Sequence, residues 1–175
     1  MLDEREPWFY WPAPRTIVAA MVAVGLCALW MAVDSDGYLR PLDDANLAFH
    51  EAGHLFYGFF GDTAGLYGGT LGQLTFPAIA AGVFLSRRDP VGTAVTLAWF
   101  GQNLANIARY VADARAQELP LVGGGEHDWT NILGRWDALA ADQRVAAVFR
   151  GAGWIVVLAM LAGLAHGWWR ARATA

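Results

Sequence analysis

The chain has 175 residues, of which 56% are apolar and only 16% charged. That balance excludes a disordered chain and is unusual for a soluble globule. A net charge of −4, with no basic run longer than Arg87-Arg88, leaves no nucleic-acid footprint.

The first fifteen residues are acidic and aromatic, without the basic start of a secretory signal. Residues 16–33, uncharged throughout, therefore read as a retained first membrane span, bounded by the aromatic run Trp8 to Trp11. The lone cysteine, Cys27, lies in this span, so no intramolecular disulfide forms, and it reads as an inert thiol. Residues 45–60 form a shorter apolar stretch that holds His50, Glu51 and His54. Residues 66–85 are a second uncharged span, preceded by Gly65. The pairs Gly65/Gly69 and Gly68/Gly72 have the small-xxx-small spacing that lets helices approach closely.

A third span, residues 91–111, begins apolar and ends polar. Gln102, Asn106, Arg109 and Asp113 follow spacings of 4, 3 and 4, which stack them on one helical face. A polar stripe on a membrane helix must face protein or water. Its members read either as an internal network, with Arg109 paired to Asp113, or as a source of a metal ligand. A glycine-rich loop, residues 123–129, carries Glu126, His127 and Asp128. The last span, residues 151–169, has His166 as its one titratable group and ends at Trp168-Trp169. We expect His166 to be structural.

These elements predict one domain over residues 1–175. It is an all-α polytopic membrane helix bundle with four full spans plus a short HExxH helix; five spans result if residues 45–60 also cross. The four-span arrangement puts Arg5, Arg15, Arg87, Arg88, Arg170 and Arg172 on one side, which the positive-inside rule makes the cytoplasm. Arg40, Arg115, Arg135, Arg144 and Arg150 fall opposite, with the His50 helix and the loop at 123–129. All twelve basic residues are Arg, a bias we associate with GC-rich bacterial genomes. A multi-pass protein of the bacterial inner membrane is the expectation, with its site near the non-cytoplasmic face.

The chemistry concentrates in His50-Glu51-Ala52-Gly53-His54. Positions four apart share one face of a helix, so His50 and His54 offer two imidazole nitrogens to one ion. Glu51 lies about 100° around the helix and reaches a metal-bound water as general base. Zinc lowers the pKa of such a water to about 7, and it needs three protein ligands with one position open. The third ligand is expected from His127, with Asp113 close behind. Asp128 comes from the same loop as His127, and whichever donor is not the ligand would hold an imidazole N–H. Asn103, Glu126 and Trp129 read as site neighbours. Gly53 in mid-helix points to close approach by another element. Asp34, Asp36, Asp43 and Asp44 read as a solvated acidic approach whose charge favours a helix N-terminus.

The run Phe49-His50-Glu51-Ala52-Gly53-His54, set in apolar sequence, resembles the membrane-bound zinc metalloproteases of the site-2 protease type. That resemblance implies zinc held by His50, His54 and a distant aspartate, with Glu51 as general base. The family's later Asp-Gly ligand motif has no counterpart after His54; the one Asp-Gly here, Asp36-Gly37, precedes it. The stretches 50–61, 68–70, 113–121 and 123–129 also resemble an uncharacterised family of small bacterial integral membrane proteins. The expected function is a zinc-dependent membrane hydrolase, most simply a metallopeptidase acting on a membrane protein or peptide substrate. The alternative is an accessory or structural subunit of a larger membrane protein complex.

Overall fold

The computed structural model describes residues 8–33, 38–122 and 126–173, and every regular element among them is helical. The order is α1 (Pro14–Val33), α2 (Leu42–Gly58), α3 (Asp62–Ser86), α4 (Pro90–Ala112), α5 (Asp128–Arg135), a single 3₁₀ turn (Leu139–Ala141) and α6 (Asp142–Ala173). The α3–α4 turn shows how local chemistry sets these boundaries. Asp89 accepts from the backbone N–H groups of Val91 and Gly92, and Pro90 opens α4, where a missing N–H is harmless.

Among the described residues, three helices are long and apolar enough to cross a membrane: α1, α3 and the long last helix. That is fewer than the four expected. The missing span is α4. It has 23 residues, but Gln102, Asn103, Asn106 and Arg109 crowd its second half and remove its apolar character. Gln102 and Asn103 are nonetheless almost wholly buried, because α4 is packed between α3 and α6. The outward faces of the other long helices expose Val22 and Leu26 on α1, Ile79 on α3 and Ile155 on α6, as a lipid-facing surface would.

The bundle closes on small residues. Ile17, Ala20, Val24 and Ala28 of α1 pack against Ala94 and Ala98 of α4 and Val157 and Leu164 of α6. Gly101 of α4 meets Gly153 of α6 so closely that a Cβ on Gly101 would stand 2.9 Å from the Gly153 carbonyl oxygen. Backbone cannot yield there as a side chain can. Gly101→Val should therefore destabilise the fold by about 1–3 kcal/mol, the usual range for an overfilled core. An unchanged unfolding midpoint in detergent would show that the two helices do not meet at this point.

Two further contacts place the site. Gly53 of α2 lies against Gly68 and Gly72 of α3, and a Cβ on Gly53 would stand 2.8 Å from the Gly72 Cα. This is the close approach that a mid-helix glycine foretold, and it presses the His50 face of α2 onto α3. The short helix α5 is held by Trp129, Ile132 and Leu133, buried among Ile107, Ala108, Val111, Ala114 and Ala146. The Trp129 indole N–H also donates to Thr70 Oγ1 at 3.2 Å. The N-terminus of α5 is thereby fixed beside α2.

Candidate metal centre

His50 and His54 turn their Nε2 atoms to one point, 3.1 Å apart. Asp128, the first residue of α5, places Oδ2 at 2.9 Å from His50 Nε2 and 3.0 Å from His54 Nε2. The opposite ring nitrogens are both occupied. His54 Nδ1 donates to the Gly65 carbonyl at 2.8 Å. A carbonyl only accepts, so this ring carries its proton on Nδ1 and turns a lone pair inward. His50 Nδ1 lies 2.9 Å from Gln73 Oε1. Three potential ligand atoms thus converge, an arrangement that could hold a metal ion. Tetrahedral zinc with bonds of about 2.0–2.1 Å sets its ligand atoms roughly 3.3 Å apart, close to the spacing seen.

Burial alone would raise the Asp128 carboxyl, yet hydrogen bonds from His50 and His54 outweigh it and hold the group below the usual carboxylate range. The hydrogen bond to Asp128 raises His54, against the pull of burial. Space is present too. A Cβ built on Gly69 would collide with Nε2 of both His50 and His54. The hydrogen in its place leaves open the position that faces both nitrogens. The donor set, its spacing and this cradle fit a divalent metal.

Sequence reasoning favoured His127 and then Asp113 as third ligand; the structure brings neither to the imidazole pair. His127 is the N-cap of α5, and its Nδ1 accepts from the Thr130 backbone N–H at 3.3 Å. Its ring stacks on Tyr110, centroids 4.1 Å apart, and its Nε2 faces Asp113 Oδ2 at 3.4 Å, beyond good hydrogen-bonding geometry. Burial pushes the His127 imidazole below its ordinary value, and the nearby Asp113 only partly opposes this. Asp113 is occupied with backbone: it accepts from Glu118 N at 2.9 Å and Leu119 N at 3.1 Å, closing the turn after α4. A capping residue cannot also turn its side chain into the site, so the next residue, Asp128, delivers the carboxylate. The Tyr110 hydroxyl steadies it by accepting from the Asp128 N–H at 3.2 Å.

Glu51 and the three donors line one cavity of about 740 Å³, shared with Tyr110, Glu126 and residues 119–122. The rest of the polar stripe has other partners. Gln102 and Asn106 donate to Asp43 Oδ1 at 2.7 and 2.9 Å, and Arg109 lies over the Tyr38 ring instead of pairing with Asp113. Asp43 corrects an expectation as well. It is 1% exposed, not solvated, and also accepts from the Leu39 backbone and from Asn46. Asp44 is exposed and accepts from the Tyr38 hydroxyl. His166 is exposed near the end of α6, beside Trp169. Arg5, Asp34, Asp36, Gly37 and Gly123 to Gly125 lie outside the described residues.

Comparison with protein-family models, characterised proteins and solved structures finds no match to this chain.

Proposed function

We propose that this protein is a zinc-dependent membrane hydrolase, a metallopeptidase acting on a membrane protein or peptide substrate. The observation that carries this reading is the convergence of His50 Nε2, His54 Nε2 and Asp128 Oδ2 over the Gly69 gap, in the cavity that Glu51 lines. Two imidazoles one helical turn apart with a distant carboxylate are also the ligand types that the site-2 protease resemblance implies, although Asp128 is followed by Trp129 and not by glycine.

Three protein ligands leave one position for a zinc ion to activate water and polarise a carbonyl, which is the chemistry the metal would supply when bound. The chain's own residues do the rest. His50 and His54 hold by nitrogen, Asp128 holds by oxygen and offsets charge. Glu51 accepts the proton of the attacking water and returns it to the leaving nitrogen. The arginines Arg15, Arg87, Arg88, Arg170 and Arg172 favour a four-span arrangement in a bacterial inner membrane, with α4 as the fourth span and the site toward the non-cytoplasmic face. The exposed Leu55, Phe56, Phe59 and Phe60 at the end of α2 support a site that lies against lipid.

Zinc analysis of purified protein tests the ligand set. Wild type should hold about one ion per chain, the ordinary stoichiometry of a single three-ligand site. Asp128→Ala and His50→Ala should be empty, while His127→Gln should keep its zinc. Retention by Asp128→Ala with loss from His127→Gln would overturn the assignment. Zinc-free wild type co-purifying at fixed stoichiometry with other membrane proteins would favour the accessory-subunit reading instead.

A further inference from the structure

We infer that Gln73 is a positioning residue: held by two amides of α4, it fixes the ring proton of His50 on Nδ1 and so turns the Nε2 lone pair toward the metal position. The direction of the hydrogen bonds fixes the arrangement. An amide side chain has a donor end and an acceptor end, and which end faces a histidine decides where the ring proton sits. If Gln73 presented its NH₂ to His50, Nδ1 would have to accept. The proton would then sit on Nε2, the atom that must bind metal.

Two independent anchors prevent that. The Trp99 carbonyl can only accept, so Asn103 gives it Nδ2 at 3.1 Å and turns Oδ1 toward Gln73. Asp43 Oδ1 accepts from Asn106 Nδ2 at 2.9 Å, so Asn106 likewise turns Oδ1 toward Gln73. Gln73 Nε2 answers both, at 3.3 Å to Asn103 and 3.1 Å to Asn106. Its Oε1 is thereby committed to His50 Nδ1 at 2.9 Å. A flipped Gln73 would set oxygen against two oxygens in a site where Gln73 is 4% exposed, with little water to intervene. The second anchor is itself rigid, since Asp43 is buried and also bonded to Asn46 and Gln102. The polar stripe of α4 therefore has a use: it orients a metal ligand from the far side of α3.

The Nδ1 proton stands on these contacts, whatever Nε2 shares with Asp128 Oδ2 at 2.9 Å; its consequence for zinc rests on the proposed function. Nitrogen NMR of metal-stripped protein with ¹⁵N-labelled histidine, in detergent, reads the tautomer directly. The His50 signal, identified by its loss in His50→Ala, should show the proton on Nδ1. Gln73→Leu should leave a mixture of tautomers and weaken zinc binding by roughly 10–100-fold, the usual range for losing the partner of a ligating histidine. A bare Nδ1 in the wild type, or an Nδ1 as fully protonated in Gln73→Leu as in the wild type, would each overturn the inference. If the proton is on Nδ1 but wild type binds no zinc, the proposed function fails and the role of Gln73 stands.

Discussion

Gly69→Ala is expected to abolish zinc binding and leave the bundle folded. The added methyl would stand against Nε2 of both His50 and His54, in the space an ion must occupy. Its neighbours there are the far ends of imidazole rings, which can yield where backbone cannot, at the expense of their Nδ1 bonds to Gln73 and Gly65. Gly68 and Gly72 differ: a Cβ on Gly68 would stand 2.7 Å from the Gly53 carbonyl oxygen, and one on Gly72 would strike the Phe49 carbonyl oxygen, both rigid backbone. Alanine is also a better helix former than glycine by up to ~1 kcal/mol, so Gly69→Ala should not lower the unfolding midpoint. Gly68→Ala should lower it, at a cost to stability of about 1–3 kcal/mol for forcing packed elements apart. Zinc analysis and thermal unfolding of the two variants separate a site residue from a packing residue one position away. Wild-type zinc content in Gly69→Ala would show that the ion does not sit between the two imidazoles.

Much of this arrangement was legible in the residues, and the limits have physical causes. Helical periodicity makes the pairing of His50 and His54 almost unavoidable once residues 45–60 form a helix, and a glycine in mid-helix announced the contact with α3. The carboxylate that meets the imidazole pair, Asp128, lies one position beyond the His127 that the residues favour. Residues 126–129 offer both donors, but histidine looks like the better zinc donor, and nothing in the residues shows that His127 is needed to cap α5. His-Asp-x-Thr before a helical segment is a capping signal that could have raised the rank of Asp128. Asp43 was misread for a related reason. An acid in the first turn of a helix has a complete local explanation in the helix dipole, so its burial against Gln102 and Asn106 leaves no trace in the local sequence. The span count shows the same limit: the residues that disqualify α4 as an apolar helix are satisfied by α2 and α3, and only the tertiary structure reveals those partners.

Glu51→Gln separates chemistry from metal holding. The substitution preserves size and hydrogen-bonding reach but removes the ability to take up a proton. Glu51 lines the cavity beside the three donors and is not one of the convergent atoms, so the variant should bind zinc as wild type does. Turnover should fall by roughly 10²–10⁴-fold, the usual contribution of a positioned acid–base group. KM should change little, because the side chain acts on the proton and not on the bound substrate. The measurement is cleavage of a fluorogenic peptide library in detergent micelles, read alongside zinc content. Asp128→Ala should lose turnover and zinc together, whereas Glu51→Gln loses turnover alone. That contrast decides the mechanism: a carboxylate that merely tuned ligand affinity would move both quantities, and persistence of turnover in Glu51→Gln would mean that some other group carries the proton.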